Sequence, residues 1–275
     1  MESVQAWVNG RLLDDVNDPA LSILDHGLTV GDGAFETIKA VSGTPFALTR
    51  HLRRMAGSLT GLGLEPPDES WLREGVAAVL DGQRDDLRIR LTVTGGPAPL
   101  GSERGDAGPT VAIVSAPLGD WPSSTAVVTV PWPRNERGAL SGLKTTSYAE
   151  NVVALARAHE GGGSEAIFTN TVGDLCEGTG SNICYVLDGE VVTPTLDSGC
   201  LAGVTRALVI EWCDVVERDA PVSVLADAEE VFLVSTTRDV QAVHRCDDRS
   251  LDSPGPLTST VVKTWAERSA ADPDP

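Results

Sequence analysis

The chain has 275 residues, with 21 Lys plus Arg against 40 Asp plus Glu, for a net charge of −19, and 41% of its residues are hydrophobic. Such a composition belongs to a folded protein rather than a disordered one, and the length suits one large domain or two modest ones. The acidity argues against nucleic acid and anionic membrane surfaces as partners, because both need clustered cations.

No run approaches the ~18 apolar residues that a membrane span needs. The opening MESVQAWVNG lacks a basic region followed by an apolar stretch, so no secretory signal is expected. The five cysteines are odd in number and contain no C-x-x-C, which disfavours a disulfide framework and a zinc site. A cytoplasmic protein without a bound metal is expected.

In chain order, residues 7–13 predict two short strands around the Asn9-Gly10 turn. Leu48, Leu52, Met55, Leu59 and Leu62 recur at helical spacing, and Trp71, Leu72, Val76, Val79 and Leu80 repeat the pattern. Residues 87–94 alternate as a half-buried strand, and 110–115 form another. Pro117, Gly119 and Pro122 mark a linker over 117–124, separating an N-terminal α/β domain (1–116) from a C-terminal domain (125–275). Strands follow at 125–130, 165–169, 182–187 and 190–193, with Asp188-Gly189 as a hairpin turn. Helices are expected at 145–160, on the stripe Tyr148, Val152, Leu155, Ala156 and His159, and at 204–214. Residues 230–235 read as a strand, and the tail after Ala270 reads as frayed. Strands interrupted by helices in two halves suggest a two-domain α/β or α+β protein.

Three features of the second half carry chemistry. Lys144 is one of only three lysines and stands, on this reading, at the mouth of a helix after a glycine-rich approach. It is either solvated surface or, if partly desolvated, an amine reactive toward carbonyls. Glu177 lies before the turn Gly178-Thr179-Gly180-Ser181, as a turn residue or as the partner of a protonated heteroaromatic nitrogen. Gly203-Val204-Thr205 opens a helix, where free amides and a hydroxyl suit either an ordinary cap or an anion. An amine for an aldehyde, a carboxylate for a ring nitrogen and a phosphate cup are what pyridoxal 5'-phosphate requires.

With these residues in place, the chain resembles the class IV, fold-type IV pyridoxal-phosphate enzymes: branched-chain aminotransferases, D-amino-acid aminotransferases and aminodeoxychorismate lyases. The resemblance includes Asp25 through Thr37, then His51-Leu52-Arg53-Arg54, Lys144, Glu165-Ala166, Glu177 through Asn182, Leu201 through Arg206, and Ser235-Thr236-Thr237. It implies that Lys144 bonds the cofactor and moves the proton, and that Glu177 pairs with the pyridine nitrogen. It implies that Arg54, otherwise a helix-surface charge, binds phosphate together with Gly203, Val204, Thr205 and Thr236 or Thr237. Tyr148 would reach the cofactor's phenolic oxygen, or is simply a core tyrosine, since it stands four residues after the lysine rather than five. A homodimer acting on a small-molecule substrate is the family expectation.

Within the family, Thr37 resembles a threonine of the lyases whose hydroxyl assists proton transfer; its alternative is an ordinary β-branched strand residue. The strand end Val93-Thr94-Gly95-Gly96 lacks the Arg-x-His trap of the D-amino-acid enzymes, and Val30 replaces a frequent pocket aromatic. Arg90 and Arg88 are candidates for a substrate carboxylate, with a solvated strand face as the alternative for Arg88. The resemblance therefore points to aminodeoxychorismate lyase, with a class IV aminotransferase as the other reading.

Overall fold

The computed structural model describes residues 4–275. Asn9 and Gly10 both take positive φ, 47° and 91°, as a two-residue hairpin turn demands, and join β1 (Gln5–Val8) to β2 (Arg11–Leu12). A one-turn helix, α1 (His26–Thr29), leads into β3 (Gly33–Val41) and β4 (Thr44–Pro45). Two longer helices, α2 (Leu48–Leu62) and α3 (Glu69–Leu80), precede β5 (Leu87–Thr94) and β6 (Thr110–Pro117). The six strands lie in the order β2-β1-β6-β5-β3-β4, with every neighbouring pair antiparallel. Alternation sends Ala34, Ile38, Ala40, Leu87, Ile89 and Leu91 to one face, where Leu52, Met55 and Leu59 of α2 and Val76 and Val79 of α3 cover them.

The second sheet gathers the remaining strands. In chain order these are β7 (Ser124–Thr129), β8 (Glu165–Thr169), β9 (Leu175–Gly178), β10 (Asn182–Leu187), β11 (Glu190–Thr193), β12 (Val215–Glu217), β13 (Glu230–Ser235), β14 (Asp239–Cys246) and β15 (Arg249–Ser250). Their order is β12-β11-β10-β13-β14-β7-β8-β9, with β15 paired to β14, and three of the pairings are parallel: β11 with β12, β14 with β7, and β7 with β8. Val127, Ile167, Ile183, Tyr185, Leu233 and Val243 form the core of this sheet. The helices are α4 (Ala149–Glu160), α5 (Val204–Trp212), α6 (Val224–Asp227) and α7 (Pro256–Ala271). The architecture is mixed α/β on two sheets, as the sequence suggests.

By its contacts the chain divides into two units. One runs to Gly119 and takes in Leu143–Tyr148 and Pro273–Pro275; the other comprises Asp120–Gly142 and Ala149–Asp272. Three expectations need correction. Residues 145–148 are not helical: Phe35 N–H donates to Lys144 O and Thr146 N–H donates to Gly33 O, so this segment lies beside the start of β3, which β4 leaves uncovered. Backbone groups bound to a strand edge are lost to a helix, and α4 starts only at Ala149. Its buried face is Asn151, Ala154 and Ala158 rather than the predicted stripe, and Val152 is exposed. The C-terminal tail is not frayed either, since Pro273–Pro275 hydrogen-bond to the start of α2.

Candidate active site

In the first unit, β3 presents Glu36 to the helical side among apolar neighbours. The carboxylate is fully buried, and such a charge survives only with close partners. Arg54 supplies a two-pronged pair, Nε to Oε1 at 2.7 Å and Nη2 to Oε2 at 2.6 Å. His51 Nδ1 lies 2.7 Å from Oε2. Burial pushes the Glu36 carboxyl up, but the Arg54 charge and the hydrogen bonds from Arg54 and His51 outweigh it and bring it to about 2. For His51 burial wins, and its imidazole is held below the ordinary histidine range.

His51, Arg54 and Ser58 follow one another at helical spacing on one side of α2. Ser58 Oγ accepts the backbone N–H of Lys144 at 3.1 Å, so the helix that carries Arg54 also fixes the lysine's backbone. Lys144 Nζ lies 4.1 Å from the centre of the Phe35 ring, on the opposite face of β3 from Glu36. Tyr148 meets the same ring edge-on, with centroids 5.2 Å apart. Thus Lys144, Tyr148 and Arg54, predicted from separate stretches, fall within one unit, and Tyr148 stands beside the lysine.

Thr37 shares the Phe35 face and is in register with Arg90 of β5, while Lys39 faces Arg88. The Arg90 guanidinium lies over Phe35, 3.2 Å from the ring centre. Arg88 is exposed on the same face, and Val30, just beyond α1, is also exposed.

In the second unit, Glu177 is buried in β9, and its Oε2 accepts the Leu201 N–H at 2.9 Å. Arg134 Nε stands 3.2 Å from the other oxygen, with its guanidinium over Phe168. Asn182 Nδ2 donates to Leu201 O, so the same residue is held from both sides. Gly203 precedes the first turn of α5 and carries no capping side chain; a Cβ there would meet Asn182 Oδ1 at 2.0 Å. Thr205 is buried in that first turn. The turn from β9 to β10 is fixed by buried Glu165, which accepts the N–H groups of Thr179 and Gly180 and the hydroxyls of Thr179 and Ser181. Arg238 Nη2 lies 3.3 Å from Glu165. Thr236 and Thr237 occupy the half-buried turn between β13 and β14.

The sequence reading assigned no role to Glu36, His51, Arg134, Asn182 or Glu165. Glu36 had a usable signal. It falls on the apolar positions of an alternating run, Ala34, Ile38 and Ala40, and a carboxylate there needs a cationic partner. Arg134 had none, because its partner Glu177 is remote in sequence, and Asn182 had only its place in the Glu177–Asn182 motif.

The two-sheet α/β architecture is that of the fold-type IV transaminases. The chain superposes on the fold IV transaminase CpuTA1 of Curtobacterium pusillum with a TM-score of 0.86 at 29% identity, covering 96% of this chain and 99% of that one. The family model for amino-transferase class IV matches residues 33–246, and the chain belongs to this family, which depends on pyridoxal phosphate. It is similar to a putative branched-chain-amino-acid aminotransferase of Methanocaldococcus jannaschii, 31% identical over 91% of this chain and 90% of that protein. It is also similar to the aminodeoxychorismate lyase of Bacillus subtilis, 30% identical over 74% of this chain and 72% of that protein.

The residues present fit that cofactor. An amine, an arginine, a buried hydroxyl on a helix start without a side-chain cap, and a carboxylate match an aldehyde, a phosphate and a ring nitrogen in turn.

Proposed function

We propose that the chain is an aminodeoxychorismate lyase, removing a ring proton from its substrate and expelling pyruvate to leave 4-aminobenzoate. Thr37 carries this reading: its hydroxyl shares a strand face with Phe35, against which Lys144 Nζ rests. Pyridoxal phosphate, bound through its aldehyde, supplies an electron sink for the bond that breaks. Lys144 would hold the cofactor and then move the ring proton at Nζ. Thr37 Oγ1 would assist that transfer, and Arg90, with Arg88 beyond it, would hold a substrate carboxylate. Glu177 would hold the proton on the ring nitrogen, with Arg134 and the Leu201 N–H holding its carboxylate in place. Arg54, the Val204 N–H and Thr205, with Thr236 or Thr237, would bind the phosphate, and Tyr148 the phenolic oxygen.

A second reading, a class IV aminotransferase for branched-chain or other amino acids, draws on the longer likeness to the M. jannaschii protein. A paired assay separates them. One arm supplies aminodeoxychorismate and measures pyruvate and 4-aminobenzoate; the other supplies amino acids with 2-oxoglutarate and measures glutamate. Thr37→Val should depress the lyase about a hundredfold, the scale of one lost acid–base contribution, and any transaminase far less. An unchanged lyase rate would remove the basis for the first reading. A cytoplasmic homodimer belongs to the same proposal. Ile23 and Leu100, 77 and 79% exposed on neighbouring loops joined by the Asp25–Pro97 bridge, and Leu28, 66% exposed on α1, would meet a second copy. Light scattering should give twice the chain mass.

A further inference from the structure

Helix α2 begins without a capping side chain of its own, because Ala47 stands at its N-cap in the left-handed region at φ 53°. The first turn of a helix leaves backbone N–H groups that need an acceptor. The far end of the chain supplies one. Thr49 N–H donates to Asp274 Oδ1 at 2.8 Å and the Thr49 hydroxyl to Oδ2 at 2.6 Å, across 225 residues of sequence. Ala47 N–H donates to Pro273 O at 2.7 Å, and Arg50 Nε donates to Pro275 O at 2.7 Å. Arg73 of α3 donates to the same Thr49 hydroxyl at 2.8 Å, which joins the second helix to the clasp. Prolines on both sides of Asp274 restrict the segment before it binds, so little entropy is lost in holding it.

One turn beyond this clasp, α2 carries His51 and Arg54. We propose that Asp274 is a positioning residue: by capping α2 from the other end of the chain, it sets the placement of Arg54 and so the protein's hold on an anionic phosphate. The carboxylate also opposes the positive end of the helix dipole, which a neutral cap does less well. The inference rests on the reading of Arg54 as a phosphate ligand, and the test separates the two.

The test compares pyridoxal 5'-phosphate with pyridoxal, which lacks the phosphate, as ligands of the full chain stripped of cofactor. Asp274→Ala should weaken pyridoxal 5'-phosphate about fivefold, the fold-change of a typical lost cap, and leave pyridoxal unchanged. Thr49→Val should do the same, with no further loss in the double variant, and Asp274→Glu should restore most of the affinity. Equal weakening of both ligands would mean that the tail only stabilises the fold, and no weakening would mean that it does nothing for the site; either overturns the proposal. Arg54→Gln is the reference. If it leaves the preference for the phosphorylated ligand intact, the reading of Arg54 falls and the proposal with it. If it abolishes that preference while Asp274→Ala and Asp274→Asn do not reduce it, the proposal alone falls.

Discussion

Glu36 is ionised in a place that should neutralise it, and the difference is Arg54 and His51. Its folded value of about 2 lies below its ordinary 4.5, so its stabilisation is complete above about 4.5 and is lost as the pH falls toward 2. Glu36→Gln is expected to cost about 3 kcal/mol near neutrality, because Arg54 and His51 then lose a buried partner. Urea unfolding at several pH values checks this: the cost should shrink between pH 4.5 and 2, and a cost independent of pH would refute the ionic account. His51 works in the same direction. Burial holds its imidazole below the ordinary histidine range, so protonation of the unfolded chain below about 6.5 also draws the protein toward unfolding. At this scale Lys144, Glu177 and Arg54 stood out as candidates from residue type and order. The partners of Arg54 were not, because a salt bridge across a strand and a helix leaves no local pattern.

Elements follow periodicity where one face meets a core and depart from it where an edge intervenes. The alternation at 87–94 became β5, with Leu87, Ile89 and Leu91 buried and Arg88 and Arg90 turned outward. The run at 145–148 had helical spacing but an open strand edge beside it, and the edge won. Gly75 of α3 shows packing overruling propensity. Alanine there would gain roughly 1 kcal/mol of helix preference. Its Cβ would however meet Ile113 Cδ1 at 2.6 Å and Trp7 at 3.0 Å. Overpacking costs about 1–3 kcal/mol, so Gly75→Ala should lower the thermal midpoint by about 2–4 °C in calorimetry. At the start of α5, Gly203→Ala would push Asn182 off Leu201 and should weaken pyridoxal 5'-phosphate about tenfold, measured by spectroscopic titration, through misplaced amides.

Over the whole molecule, a charge of −19 acts as self-repulsion that the compact state bears more than the unfolded one. Added salt shortens the reach of that field, to about 10 Å at 0.1 M, so the thermal midpoint should rise from low salt to that concentration. A midpoint that falls would mean that the exposed ion pairs, Arg218–Glu190 and Arg157–Glu160 among them, outweigh the repulsion. Composition, strand and helix periods, turn pairs such as Asn9-Gly10, and the order of the motifs determined the class of fold and the family and singled out the candidate site residues, because each depends on neighbours within a few positions. Only the tertiary structure decided what Glu36 pairs with, where α4 begins, and that Asp274 caps α2 from 225 residues away. Such bonds join backbone and side-chain groups whose need for a partner is visible locally, whereas the partner is chosen by how the chain folds back.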